Sequence, residues 1–329
     1  MCCNSVEQWE PSELRGSRSV LRAAVGEVPR AYSPLRGSTE VKYAFIVENR
    51  DIFSVTLMCE VLDISKSGFH SWSKRDHETK AKKRLELVNQ ITEIHQISRR
   101  NYGSPRILQE LKALDIPCGK GKLERLMKAE GISAKTKKKF KITTDSKHGL
   151  PVAKNLLDRN FEAGKPNSVW LADITYIWTR EGWMYLAAVL DLGTRKIVGW
   201  SMKERMKEDL VLDALDMAFK RQKPPRGLMH HSDQGSQYAG HAYAQRLWSY
   251  GMIASMSRRG QCWDNAPMES FFHSLKTEHV YFEEFATRNE AKESIFEWIE
   301  VYYNRQRIHS TLGYQTPECY EQLANGNHS

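Results

Sequence analysis

The chain reads as an α/β protein with a mixed sheet, preceded by an all-α region. Two patterns predict this. From about residue 166, strand-like apolar runs occur at 169–178, 183–190 and 196–201. A helical segment at 208–220, a strand at 227–232, a helix at 240–250, a strand at 252–256 and a helix from about 266 follow. That β-β-β-α-β-α-β-α order is an α/β arrangement whose sheet is mixed. Ahead of it, residues 41–134 show helical apolar spacing throughout. A length of 329 residues with 40% hydrophobic content supports a real core and more than one domain.

Residues 1–40 are rich in Ser, Arg, Pro and Gly and carry no sustained period, so a disordered leader is expected there. Val55 to Leu62 has helical spacing. Asp63-Ile64 makes a turn, and Ser65 is placed to cap a second helix through Phe69 and Trp72. Two short helices with a tight turn suggest a helix-turn-helix, although an ordinary helical hairpin has the same pattern. The polar positions Lys66, His70 and Lys74 shift the reading toward DNA contact. A longer amphipathic helix spans 78–99 with Leu85, Val88, Ile91, Ile94 and Ile97 on its stripe. A second helical pair starts at Ser104-Pro105 and ends near Gly131. Residues 135–141 hold five lysines in seven positions, and 135–165 is read as a basic linker. Lys137, Lys138 and Lys139 are the expected phosphate contacts there.

In the second half three acids stand out. Asp173 lies inside the apolar run Val169–Tyr176. Asp233 ends the run that starts at Leu228, and Glu269 opens a helix. The last two have 35 residues between them (269 − 233 − 1). Three converging carboxylates repel each other. A bound cation removes that repulsion, and Mg²⁺ prefers such oxygen ligands. A lone Asp in a strand is more often a cap or a surface charge. Asp191 also ends a strand, but Leu192-Gly193-Thr194-Arg195 after it assigns it to a turn. Asp264 is read as structural support, next to the expected helix cap Asn265. On the last helix, His273 and Lys276 follow Glu269 at i+4 and i+7, so Lys276 shares its face about 10 Å along the axis. A DNA phosphate contact is expected of both, with Lys276 reaching outward beside the acids; a surface salt bridge with nearby glutamates is the alternative for Lys276. Arg305, Arg307 and His309 in the tail serve either DNA contact or anchoring of the last helix on the core.

Three stretches raise the specificity of this pattern: Trp170-Leu-Ala-Asp-Ile-Thr-Tyr176, His231-Ser-Asp-Gln-Gly-Ser-Gln-Tyr238, and Asp264-Asn-Ala-Pro-Met-Glu-Ser-Phe-Phe-His-Ser-Leu-Lys-Thr-Glu278. In this order they resemble the DDE transposases of the IS3 insertion-sequence family, specifically the second open reading frame product, over about residues 41–320. The resemblance implies a ribonuclease-H-like integrase core at 166–285 and a helix-turn-helix region at 41–134. Residues 286–329 are expected to form a C-terminal helical extension, which the resemblance covers to about residue 320. It implies Asp173, Asp233 and Glu269 as catalytic metal ligands for Mg²⁺, with Mn²⁺ able to substitute. It also implies DNA partners (terminal inverted repeats and a target), self-association on DNA, and cooperation or fusion with the first open reading frame product. Because family-like sequence starts at Val41, residues 1–40 are expected to be dispensable for the chemistry. Two alternatives share parts of the pattern: a non-catalytic helix-turn-helix regulator, and a hydrolytic nuclease of the same fold.

Composition limits the other classes. A net charge of +9 suits a polyanionic partner. No apolar run approaches the roughly 18 residues that span a bilayer, and no secretory leader is evident, so a cytoplasmic location is expected. The six cysteines, Cys2, Cys3, Cys59, Cys118, Cys262 and Cys319, contain no Cys-x-x-Cys pair, which argues against a zinc ribbon or disulfide framework. His230-His231 is read as packing beside the acidic site.

Overall fold

A computed structural model describes residues 38–74, 77–135, 151–162 and 164–326. The expected leader up to residue 37 and the contacts expected of Lys137, Lys138 and Lys139 lie outside the described residues. The chain divides into two compact units, Met1–Leu85 and Glu86–Ser329.

In the first unit, α1 (Thr39–Asn49), α2 (Val55–Val61) and α3 (Lys66–Ser73) close around Ile46, Met58, Cys59, Leu62 and Phe69. The expected cap is present: Ser65 Oγ accepts from Gly68 N at 3.0 Å. Gly68 is needed for packing, because a Cβ there would run into the Tyr43 hydroxyl. Lys66, His70 and Lys74 are all exposed and fall at i, i+4 and i+8, so they line one stripe of α3 and its end. Lys66 Nζ donates to Thr56 Oγ1 at 2.9 Å.

Helix α4 (His77–Ile97) crosses the boundary between the units. Its expected stripe is only partly used. Leu87, Ile91 and Ile94 are buried, whereas Leu85 and Ile97 are 61% and 64% exposed, because one stripe cannot stay on a single packing face over so long a helix. The second unit continues with α5 (Ser104–Ala113) and α6 (Lys120–Ala129). Their Ile107, Leu111, Leu123 and Met127 pack with the α4 residues and with Ile308 from the far end of the chain. Residues 151–162, expected to belong to a linker, instead lie against the sheet. Leu157 is buried in the core and Leu156 N donates to Ser255 Oγ at 2.9 Å.

The sheet has five strands in the order β3-β2-β1-β4-β5. These are β1 (Val169–Thr179), β2 (Gly182–Asp191), β3 (Ile197–Lys203), β4 (Met229–Ser232) and β5 (Ile253–Met256). β1, β2 and β3 form an antiparallel meander, and β4 and β5 run parallel to β1. This is the ribonuclease-H-like order, and the strands fall within three residues of the runs expected from the sequence. Asp191 is in the expected turn, its carboxylate accepting from Asn167 N, Gly193 N and Thr194 N.

Both sheet faces are covered. Helices α7 (Glu208–Gln222), α8 (Ser236–Ala239) and α9 (His241–Ser249) bury Trp170, Ala172, Val189 and Val198 on one side. Gly199 permits α7 to approach, since a Cβ there would meet the Ala214 carbonyl and the Ala218 amide. The other face holds Leu171, Leu186, Leu190 and Ile197 under α10 (Ala266–Glu278) and α11 (Arg288–Glu297). A π-helical turn, Trp298–Tyr303, extends α11 and buries Trp298, Ile299, Tyr302 and Tyr303 in the same core. A last helix, α12, spans Pro317–Gly326. The stretch from Ala291 to Tyr303, read from the sequence as part of a C-terminal helical extension, thus contributes to this core. Asn304 fastens it by mimicking a strand partner: its side chain accepts from Ile197 N (2.9 Å) and donates to Ile197 O (3.0 Å) on the edge strand β3.

Of the three basic tail residues, the structure assigns Arg307 to anchoring. It is buried and donates to both Glu278 oxygens, at 2.8 and 2.6 Å. Arg307→Ala should lower the unfolding free energy by about 3 kcal/mol, because it takes both short bonds from a mostly buried carboxylate and leaves it Arg106 at 3.8 Å. Thermal melting checks this. An unchanged melting temperature with weakened DNA binding would instead make Arg307 a DNA contact.

His279 adds a pH-sensitive element. Its ring bonds Ser294 Oγ at 2.7 Å and stacks on Trp298. Burial pulls its pKa down to about 4. The folded value lies below the unfolded one, so this contribution is complete above about pH 6.5. It is lost as pH falls toward 4, at about 1.4 kcal/mol per unit. His279→Gln, which cannot charge, should flatten the acid limb of a melting-temperature profile between pH 6.5 and 4.5. An unaltered limb would contradict this.

Candidate active site

The acidic site is built by strand register. β1 and β4 pair in parallel with Ala172 opposite Ser232, so Asp173 and Asp233 are the next residues on neighbouring chains roughly 4.8 Å apart. β4 ends there because Asp233 starts a turn, its Oδ1 accepting from Gly235 N at 3.0 Å. Asp173 Oδ1 accepts from the next amide, Ile174 N, at 2.7 Å. Beyond Ala172, β1 has no further pairing with β4, which leaves Asp173 half-buried at an open edge.

Glu269 comes from the first turn of α10. The sequence reading made Asn265 the cap of this helix. Its side chain makes no cap bond and instead donates to Ala172 O at 3.1 Å, tying the start of α10 to the residue before Asp173. Met268, Phe271, Phe272 and Leu275 are buried, so Glu269 and His273 lie on the exposed side of the helix.

The electrostatics show the three acids acting on one another. Burial, then the Asp233 carboxylate and more weakly Glu269, push the Asp173 carboxyl well above the usual carboxylate range; Lys276 opposes this. Lys276 differs from expectation in its direction. It does not reach outward but lies half-buried, with Nζ 4.7 Å from the centre of the Tyr176 ring. Burial lowers its pKa while Asp173 raises it. The side chains are not closed around a common point: among the described residues no three His, Cys, Asp or Glu side chains form a ready-made metal cage. The donor set nonetheless fits a hard divalent cation, because all three groups are oxygen acids and the crowding on Asp173 is the kind such a charge relieves.

Asp264 is in the supporting position expected of it. It is fully buried and accepts five hydrogen bonds, from Asn155 Nδ2, Arg159 Nε, Arg258 N, Arg258 Nε and Arg258 Nη2. The Arg258 guanidinium holds its carboxyl far below the usual range. The arginine partners were not found from the sequence; the signal available was the Arg258-Arg259-Gly260 turn just ahead of Asp264. His231 bridges Ser255 Oγ (2.9 Å) and Ser257 Oγ (3.1 Å), and His230 meets the Tyr243 hydroxyl at 3.0 Å. Burial keeps both histidines neutral, at about 4 and about 3 respectively. Both thus pack beside the acids. No described helix is long and apolar enough to cross a membrane.

Known proteins resemble the chain over most of its length. Integrase core domain models match residues 163–262 and 250–317, and an HTH-like domain model matches residues 82–140. The chain is 44% identical over 271 residues to an insertion element IS600 31 kDa protein of Shigella sonnei, covering 81% of this chain and all of that one. It is 40% identical over 283 residues to transposase InsF for insertion sequence IS3A of Escherichia coli K12, covering 85% of this chain and 98% of that one. Among solved structures, the HTLV-2 integrase catalytic core domain in complex with magnesium aligns with a TM-score of 0.38 at 14% identity, over 48% of this chain and 97% of that one. With such relatives matched over nearly their whole length, the chain belongs to the IS3 family of insertion-sequence transposases, DDE enzymes that cleave DNA and transfer its strands.

Proposed function

We propose that Asp173, Asp233 and Glu269 are the catalytic carboxylates of this transposase and hold two Mg²⁺ ions, with Mn²⁺ able to substitute. The observation that carries this is the Ala172–Ser232 register, which sets Asp173 beside Asp233, together with the Asn265 bond that brings the helix of Glu269 to the same strand. Bound ions supply activation of the attacking oxygen and neutralisation of charge on the leaving 3′-oxygen. Glu269 completes the set by turning inward from its exposed position on α10. No covalent intermediate on the protein is required, so the chain's own role is to bind, orient and neutralise.

Lys276 contributes a positive charge beside Asp173 and takes a DNA phosphate near the reacting end, and His273 lies on the exposed side of the same helix. Lys66, His70 and Lys74 form the DNA face of the first helical unit, and Lys137, Lys138 and Lys139 follow the backbone between the DNA-binding region (41–134) and the core. The DNA partners are terminal inverted repeats and a target. Self-association on DNA and cooperation with the first open reading frame product complete the proposal, in the cytoplasm.

Asp173→Asn, Asp233→Asn and Glu269→Gln should each abolish cleavage and joining of precut ends while leaving end binding intact. The folded-state pKa of Asp173 is raised, so its ionised form costs stability at neutral pH. Asp173→Asn should therefore also raise the metal-free melting temperature. A variant with near-normal strand transfer would remove that residue from the site. A wild type that hydrolyses DNA but never joins precut ends would identify a nuclease instead.

Lys276→Ala should weaken joining and make the salt dependence of end binding shallower by about one unit of log–log slope, with partial recovery in Lys276→Arg. An unchanged slope with a lowered melting temperature would make Lys276 a structural residue packed on Tyr176.

A further inference from the structure

The loop from β5 to α10 carries side chains that neither the core nor the three acids use. It leaves the sheet beside Asp233: Ser257 N donates to Ser232 O at 2.9 Å, and Gln234 Nε2 donates to Ser257 O at 2.9 Å. It ends at Asn265, bonded to Ala172 O next to Asp173. The loop therefore spans the rim of the acidic site from one strand to the other. Asp264 locks it from beneath through its five hydrogen bonds to Asn155, Arg159 and Arg258.

A loop held this firmly nevertheless leaves Trp263, adjacent to the buried Asp264, 65% exposed. Arg258 and Arg259 precede it on the same loop, and Arg159 meets the loop through Asp264. Arg258 and Arg159 keep side-chain exposures of 50% and 43% while pairing with Asp264, and Arg259 is exposed with no ion pair among the described residues. The indole is thus presented to water on a loop that also carries an exposed arginine. That pairing of an aromatic face with positive charge suits a nucleotide: the base stacks on the ring and the phosphate meets the cation. Trp263 precedes Glu269 by six residues, with Asn265, which is not α-helical, between the loop and the helix.

We propose that Trp263 is a base-stacking residue for the DNA end being processed, seating an unpaired or frayed base near the reacting phosphate, with Arg259 on the adjoining phosphate. This rests on the transposase reading. It adds a specific binding residue on the rim that contributes neither metal ligation nor folding.

The test uses the full chain and a duplex of the element's own end, carrying 2-aminopurine at one of its three terminal positions in turn. Binding is read without divalent metal, and joining of precut ends is read with Mg²⁺. Wild type should quench the probe at one of these positions. Trp263→Ala should lose the quench and join about tenfold or more slowly, at an unchanged melting temperature, and Trp263→Phe should restore most of both. Arg259→Ala should keep the quench but bind with a shallower salt slope by about one unit. Trp248→Ala, which removes an indole 80% exposed on α9, should behave as wild type. Quenching and joining in Trp263→Ala equal to wild type would overturn the proposal. So would a lowered melting temperature that Phe does not restore, since Trp263 would then be structural. A wild type that neither cleaves nor joins would refute the transposase reading itself, a result distinct from either.

Discussion

The parallel pairing of β1 with β4 is the constraint on which the rest depends. Because Ala172 faces Ser232, two acids 60 residues apart in the chain (233 − 173) become immediate neighbours at the end of a short paired stretch. A one-residue slip would send one of the two to the opposite face of the sheet. The register is held by burial: Trp170, Leu171 and Ala172 are enclosed on both faces, and so are His230, His231 and Ser232. The site is therefore located by the best-packed part of the molecule, although the acids themselves lie where the pairing stops.

The third acid is positioned by a different device. Helix α10 is fixed from below by five buried apolar residues and at its start by the Asn265 side-chain bond to the backbone of β1. The buried Asp264 holds the preceding loop in place. Folding thus supplies the frame, while the carboxylate crowding that opposes folding remains at Asp173. Separating a rigid support from a repulsive acidic edge is what a cation-dependent site requires, because the cation supplies the missing attraction only when it binds.

Much of this could be read from the sequence, for reasons specific to particular residues. An aspartate in the middle of the Val169–Tyr176 run contradicts its apolar surroundings, and such a contradiction marks a site. Asp191 was separable from it because a turn signal follows directly. What stayed hidden depended on partners distant in the chain. Asn265 has the local pattern of a cap, and nothing nearby shows that its acceptor is Ala172, 93 residues earlier. Arg307 looks like any basic tail residue until Glu278 is beside it. Residues 151–162 have linker composition, yet Asn155 and Arg159 bond Asp264 while Leu157 is buried in the core with Phe161 packed against it. The spacing puts Lys276 seven residues after Glu269, but its approach to Tyr176 depends on β1, which helix periodicity cannot reveal.

The most direct measurement of the central claim is anomalous diffraction from crystals grown with Mn²⁺. The account requires manganese density bridging the Asp173 and Asp233 carboxylates, with Glu269 turned in from α10 toward the same site. Manganese bound elsewhere, with Asp173 and Asp233 sharing no ion, would contradict it.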